Sequence, residues 1–386
     1  HDDIRKIKVT VADARSVVAR WYGFENWSKL TKHIEALTRK ESRVLQFELA
    51  VEAIINGDLG TLKALLREYP ELVEARSTRE HQATLLHYVA ANGVEDYRQK
   101  TPKNAVKVAT VLIEAGAEVD ADLDYGLEGR KSYPERLGST TLGLVATSFH
   151  PAKAGVQIAL LETLLQAGAR IDGIPGGWNP LVAALHNGRG DAAACLARNG
   201  ANLDLEGAAG VGCLEPVKKY LRPDGSLKQI ATFSQLNHGF LWACEYGRTE
   251  VVKFLAKRVP QLCARRIHGA TGLHQAAYGG HSDVGSALLK RGAPVNIIDE
   301  HHNGTPLGWA LYAWSDPPPE FARGRYHEVV ELLVKAGATM DTAWIEDSAR
   351  AHPIAAKIRA DPRMSAALKT IRRYDLIEHE NKGAEA

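Results

Sequence analysis

A short pattern recurs along most of the chain, and this repetition constrains the fold more than any other feature. Each copy has a stretch of small and apolar residues that ends at a glycine, followed by a second apolar stretch that ends at a Gly-Ala step. The first stretch recurs at Thr84–Gly93, Asn179–Gly188, Leu241–Gly247 and Thr271–Gly280. Because glycine suits the left-handed residue that ends a helix, each copy predicts two short helices. One helix pair cannot bury its apolar face alone, so neighbouring copies must stack.

The pattern resembles the ankyrin repeat. The resemblance rests on the segment Thr-Gly-Leu-His-Gln-Ala-Ala-Tyr-Gly-Gly-His at 271–281 and on the second-half segments Ala115–Asp120, Ala167–Asp172, Asn199–Asp204 and Ala336–Asp341. An ankyrin unit of about 33 residues is a β-turn finger followed by two antiparallel helices. The resemblance therefore implies an all-α ankyrin-repeat solenoid of stacked helix pairs with β-turn fingers and helical caps.

The pattern also predicts how the chain is organised. The array covers residues 44–341 in about eight units and is irregular near 205–236, where one finger is missing. Residues 1–43 are expected to form an N-terminal helical cap and 342–375 a C-terminal one, because terminal helices cover the apolar ends of such arrays. Residues 376–386 are polar and are expected to form a flexible tail.

Three insertions interrupt the repeats, at 94–103, 122–139 and 315–325. We expect 122–139 to form an enlarged finger and the other two to separate paired helices. The run Pro317-Pro318-Pro319 stiffens the last insertion, which would then present Phe321 or Arg323 to a ligand.

In the ankyrin register, the two residues before the helix-ending glycine project from the concave surface. Several of these positions carry aromatic groups, which offer large contact areas with a polar handle. The expected ligand-binding residues are His186, Glu245, Tyr246, Tyr278, Trp309, Tyr312 and Trp314.

The leading interpretation is a binding protein that recognises a protein or peptide partner through the concave face and fingers. The alternative is a small-molecule-binding protein, or an unusual enzyme, whose groove is closed by the insertions. G-x-S-x-G, H-E-x-x-H and the phosphate-loop motif are all missing, so the sequence favours binding over catalysis. If the groove is catalytic, its acid/base groups would be Glu245, Tyr246, Tyr278 and Asp316.

Histidines occur in two kinds of position. His87 and His274 occupy the histidine of the ankyrin T-x-L-H pattern, and the resemblance implies that they order the fingers through backbone hydrogen bonds. A second set has a spacing that matches no metal motif: His150, His186, His268, His301 and His302. We therefore expect no metal site and no cofactor.

The charge and cysteine content of the chain limit the classes of partner and the compartment that we expect. Lys and Arg total 48 against 46 Asp and Glu, a net charge of +2, so neither nucleic acid nor an anionic membrane is an expected partner. Four widely spaced cysteines indicate a reducing compartment, and we expect a cytoplasmic protein. The sequence leaves open whether a targeting segment precedes His1. The pattern from Asp13 to Leu30 is similar to segments that precede ankyrin arrays in bacterial proteins, which points to a bacterial source.

Overall fold

The structure is a computed structural model that describes residues 9–123, 139–340, 353–369 and 371. The chain divides into two compact units, His1–Asn202 and Leu203–Ala386. The described residues form helices and isolated antiparallel bridges, such as Ile267 with Ala270, and contain no extended β-strand. The predicted all-α fold class is thus confirmed.

The first unit begins with a helical hairpin, whose two helices start at the capping side chains of Thr10 and Asn26. Further helix pairs follow it. The α-helices of its described residues are α1 (Val11–Trp21), α2 (Trp27–Leu37), α3 (Arg43–Asn56), α4 (Leu59–Glu68), α5 (Ala105–Glu114), α6 (Thr141–Thr147), α7 (Phe149–Lys153), α8 (Gln157–Gln166), α9 (Pro180–His186) and α10 (Gly190–Arg198). Short 3₁₀ helices lie at Pro70–Val73, Leu85–Ala90 and Asp96–Arg98.

The second unit continues with paired helices around one apolar core. Its described α-helices are α11 (Leu205–Val211), α12 (Leu214–Lys219), α13 (Phe233–Glu245), α14 (Thr249–Arg258), α15 (Gly272–Tyr278), α16 (Ser282–Leu289), α17 (Pro306–Ser315), α18 (Tyr326–Lys335), α19 (Pro353–Ala360) and α20 (Pro362–Lys369). Short 3₁₀ helices lie at Pro260–Cys263 and Pro319–Phe321. The core extends from Leu205 to Ile371 and includes Ala276 and Ala277, whose small side chains allow close helix packing.

The two T-x-L-H histidines have the predicted structural role. Nδ1 of His274 accepts a hydrogen bond from the backbone N–H of Thr271, and Nε2 lies 3.1 Å from the carbonyl oxygen of Gly304 in the next finger. His87 bonds Thr84 and the carbonyl oxygen of Ala121 in the same way. The segment that contains His87, Leu85–Ala90, is a 3₁₀ helix rather than the expected α-helix.

The irregular region of the second unit begins without a finger. The Asp204 side chain caps α11 directly, by accepting a hydrogen bond from the Gly207 backbone N–H. After α12, a long connection contains a turn closed by the Arg222–Ser226 backbone hydrogen bond and leaves Ile230 70% exposed. Most of the predicted 122–139 finger, the start of the 342–375 cap and the 376–386 tail lie outside the described residues.

Candidate functional site

Four aromatic side chains of the second unit form a connected series, which we call the aromatic row: Tyr246, Phe321, Tyr278 and Trp309. The Phe321 ring lies 6.0 Å from that of Tyr246 and 5.7 Å from that of Tyr278. Tyr278 in turn lies 5.9 Å from Trp309. The three predicted members stand at the end of α13, at the end of α15 and within α17, so neighbouring first helices bring them together.

Phe321 belongs to the insertion between α17 and α18. Hydrogen bonds anchor this insertion against the aromatic row. The single O–H of Tyr326 is shared between the carbonyl oxygens of Tyr278 and Phe321, which lie 3.0 and 3.2 Å from it. The Arg325 backbone N–H donates to the carbonyl oxygen of Gly280. Gly280 has a φ of +70°, and a Cβ there would lie 2.6 Å from the Cα of Gly324. This close approach requires glycine and fixes one end of the insertion.

From the sequence we expected the insertion to present Phe321 or Arg323 to a ligand. Phe321 is instead buried, with 6% of its surface exposed. Glu245 and Tyr246 are each only 8% exposed, so the expectation that this pair projects from the surface is also wrong. The rings of Phe321 and Tyr246 pack against each other, and this contact buries apolar surface of both side chains away from solvent.

Burial changes the charge of Glu245. It raises the pKa of this carboxyl group to about 8, and the nearby Glu320 carboxylate adds to the rise. The side chain is therefore largely protonated at neutral pH and can donate a hydrogen bond as well as accept one. The Glu245 backbone carbonyl oxygen lies 2.7 Å from Nε2 of His281, which holds the end of α13 against the next repeat.

Trp309 is fixed by Asp299 in the preceding finger. Its indole Nε1 donates to Asp299 Oδ2 at 3.0 Å. The same carboxylate accepts backbone N–H groups of His301, His302 and Gly304. Asp299 thus organises the finger tip and orients Trp309.

The remaining predicted residues lie in several environments. Tyr312 is 62% exposed at the end of α17, and Asp316 is exposed one turn further on. Trp314 is half-buried and packs against His327, with ring centroids 6.1 Å apart. His186 belongs to the first unit, where its ring lies 5.9 Å from that of Trp178. The structure therefore brings Tyr246, Tyr278 and Trp309 into one row and leaves Tyr312 as its most exposed predicted neighbour.

Sequence reasoning missed a buried charged cluster in the first unit, formed by Glu48, Arg79, Glu95 and Arg98. Arg79 pairs with both carboxylates, and Arg98 pairs with Glu48. All four residues are at most 7% exposed. Burial alone would raise the pKa of Glu95, but His81, whose Nε2 lies 3.6 Å from the Glu95 carboxylate, and the Arg79 charge lower it to about 2.

This charged cluster joins the N-terminal hairpin to the first repeats. Arg79 Nε also donates to the carbonyl oxygen of Tyr22, and the Arg79 guanidinium lies 5.4 Å from the ring centre of Phe24. Arg79 pairs with Glu95, 16 residues away, and with Glu48, 31 residues away, while Arg98 and Glu48 are 50 residues apart, so no helical spacing could reveal the cluster. The one sequence feature that could have pointed to the cluster is the presence of charged residues within the 94–103 insertion.

In the part of the chain that the structure describes, no helix has the length and apolar character needed to cross a bilayer.

Comparisons with known proteins agree with the paired helices. Residues 240–343 match the family model described as "Ankyrin repeats (3 copies)". The SMC5-SMC6 complex localization factor protein 1 of Bos taurus is 35% identical over 71 residues, which cover 18% of this chain and 7% of that protein. The human Ankyrin repeat and KH domain-containing protein 1 is 35% identical over 105 residues, 27% of this chain and 4% of that protein.

Among solved structures, the human ASB11 ankyrin repeat domain aligns with 68% of this chain and 90% of its own, at 21% identity and a TM-score of 0.36. The matched segments span less than a tenth of the two curated relatives' lengths. The family match lies entirely within the second unit. This chain therefore contains ankyrin repeats, and the family model matches them at residues 240–343.

Proposed function

We propose that the chain binds a protein or peptide partner through the concave face of its repeats, at a surface centred on Tyr312 and the two half-buried members of the aromatic row, Tyr278 and Trp309. Ankyrin repeats generally mediate protein–protein interaction, and the second unit contains them. The observation that carries the proposal is the exposed Tyr312 phenol, which lies on the same helix as the half-buried Trp309 and one repeat after the half-buried Tyr278. Exposed tyrosine beside pre-packed aromatic rings is typical of protein-recognition surfaces.

Rigidity supports this choice of surface. Trp309 is held by Asp299 and Tyr278 packs on Phe321, so little side-chain freedom is lost when a partner binds there. The four cysteines are unpaired, and three of them are buried, which suits the cytoplasm. A bacterial source stays a prediction from the N-terminal pattern.

Site-specific photocrosslinking tests the proposal. A photoreactive phenylalanine analogue placed at Tyr312 should crosslink to a discrete partner in a lysate of the native host. The matched control places it at Phe233, which is 68% exposed but stands at the other end of a first helix. The same partner should lose about 1–2 kcal/mol of affinity with Tyr312→Ala. Crosslinking at position 233 but not at 312 would show that the binding surface lies elsewhere.

One observation favours a second candidate, a small-molecule site or acid/base centre at Glu245. A buried carboxyl group with a strongly raised pKa is a common feature of catalytic sites. Ligand-detected NMR with a metabolite mixture provides the test, comparing the wild type with Glu245→Gln. A compound that binds both proteins but is turned over only by the wild type supports acid/base chemistry. If no compound distinguishes the two proteins, this candidate fails while the protein-binding proposal stands.

A further inference from the structure

Two histidines of the second unit meet although 30 residues separate them in the chain. Nε2 of His238, within α13, lies 3.0 Å from Nε2 of His268, and the ring centroids are 4.9 Å apart. His238 is half-buried, whereas His268 is exposed at a finger tip. At this distance one imidazole can donate an N–H hydrogen bond to the other. Alternatively, both Nε2 lone pairs can bind one cation.

The second ring nitrogen of His238 faces a carboxylate. Glu206 Oε2 lies 3.6 Å from His238 Nδ1, while Oε1 of the same group accepts the indole N–H of Trp242 at 2.9 Å. Glu206 is only 6% exposed, so its position is fixed by its surroundings. At 3.6 Å the carboxylate is just beyond hydrogen-bond distance, but its negative charge favours the tautomer with the proton on Nδ1, which leaves the Nε2 lone pair facing His268. Carboxylate, histidine and metal are arranged in this order in many protein metal sites.

The backbone of His268 is also unusual. Its φ is +49°, in the left-handed region that non-glycine residues rarely adopt. The surrounding turn is held by reciprocal backbone hydrogen bonds between Ile267 and Ala270, at 2.8 and 3.2 Å. Gln82 and Asn303 adopt the same conformation shortly before the Thr of their own repeats, so the left-handed residue is a feature of the finger turn. Here it places the imidazole opposite His238.

We propose that His238 and His268 bind a divalent transition-metal ion through their Nε2 atoms, with Glu206 as a positioning residue that acts through His238. Two nitrogens 3.0 Å apart can both lie about 2.0–2.1 Å from one ion, the usual zinc–imidazole distance. Imidazole suits zinc, copper and nickel. Because His268 is exposed, water or a group from a partner protein completes the coordination. From the sequence we expected no metal site, because the spacing of the histidines matches no metal motif.

Isothermal titration of the full chain with ZnCl₂ tests the proposal. The wild type should bind one zinc ion at this site, and His268→Asn should weaken that binding at least tenfold. Asparagine tolerates a positive φ, so the turn is retained when the imidazole is removed. The matched control is His302→Asn, which removes an exposed imidazole from the neighbouring finger tip, where it packs beside Trp309, and should leave the affinity unchanged.

A second variant tests the role of Glu206. Glu206→Gln still offers an oxygen to Trp242, but it removes the negative charge beside His238 and should weaken zinc binding about 10-fold. Cu²⁺ gives an independent readout, because its electron paramagnetic resonance spectrum should show two nitrogen ligands in the wild type and one fewer in His268→Asn. Zinc affinity that is unchanged in His268→Asn, or equally reduced in His302→Asn, would overturn the proposal.

Discussion

The hydroxyl group of Tyr326 lies 3.0 Å from the backbone carbonyl oxygen of Tyr278. Tyr326 follows the 315–325 insertion and is only 4% exposed, so this hydrogen bond ties the end of the insertion to the preceding repeat. The same hydroxyl also donates to the carbonyl oxygen of Phe321. One phenol therefore connects α18, the insertion and the end of α15.

Tyr326→Phe should loosen the insertion. Removing the hydroxyl leaves two buried carbonyl oxygens without this donor, which should cost about 1–2 kcal/mol of stability. Hydrogen exchange followed by mass spectrometry should show faster exchange in peptides that cover residues 316–325. Tyr312→Phe is the control, because its hydroxyl belongs to an exposed side chain. Equal exchange in both variants would contradict the anchoring role of Tyr326.

Glu245→Gln should stabilise the protein, and the gain should grow with pH. The carboxyl pKa is raised from 4.5 to about 8 on folding, so the folded state retains a proton that the unfolded state has released at neutral pH. Stability is therefore lost as pH rises from 4.5 through about 8, and glutamine removes this loss. We expect a gain of about 1–3 kcal/mol at pH 8 and little at pH 4.5.

Urea denaturation at a series of pH values measures this effect. Glu250→Gln serves as the control, because Glu250 is exposed and pairs with Lys253 across one helical turn. Its change in stability should be small and nearly independent of pH. If Glu245→Gln has the same pH profile as the wild type, the Glu245 carboxyl group is not held in its protonated form.

His274→Ala should destabilise the second unit by about 1–3 kcal/mol, because it leaves the Thr271 N–H and the Gly304 carbonyl oxygen without their imidazole partner. Partner affinity, measured where the variant remains folded, should be nearly unchanged. His301→Ala removes an exposed imidazole and should leave the melting temperature as it is. A His274→Ala protein with normal melting but no binding would assign this histidine to the binding surface instead.

Arg79→Met should be among the most destabilising single changes in the first unit. It leaves Glu48 with Arg98 as its remaining arginine and takes from Glu95 its closest positive charge, while both carboxylates stay buried. Breaking such a buried pair costs about 3–5 kcal/mol. Arg67→Met, at an exposed position of α4, is the control for thermal denaturation. Equal melting temperatures would show that the charged cluster adds little to stability.

Residues 205–236 should exchange their amide hydrogens faster than residues 240–312. The connection after α12 exposes Ile230 and Phe233 by 70% and 68%, so few packed side chains protect its backbone. Native-state hydrogen exchange on the full chain checks this. Uniform protection across both segments would contradict the expected weak region.

The repeat pattern was sufficient to predict the all-α fold and the structural role of His87 and His274, because both depend on contacts between adjacent repeats. The orientations of Glu245 and Tyr246 were predicted wrongly. An isolated repeat register places them at the surface, but both are buried, and Phe321, 75 residues after Tyr246 in the chain, packs against the Tyr246 ring. The pairing of Glu48 with Arg79 and of His238 with His268 could not be predicted either, since contacts over such sequence distances leave no periodic signal.

Phe321 also limits how far the second unit can be treated as a series of interchangeable modules. In an ordinary repeat array, each repeat contacts only its neighbours, so repeats can be exchanged or shuffled one at a time. Phe321 follows α17 but packs against a ring at the end of α13, two first helices earlier. The smallest segment that can be transplanted with its packing intact therefore runs from α13 through the insertion. Over evolutionary time, substitutions at 246, 278 and 321 should occur together rather than independently.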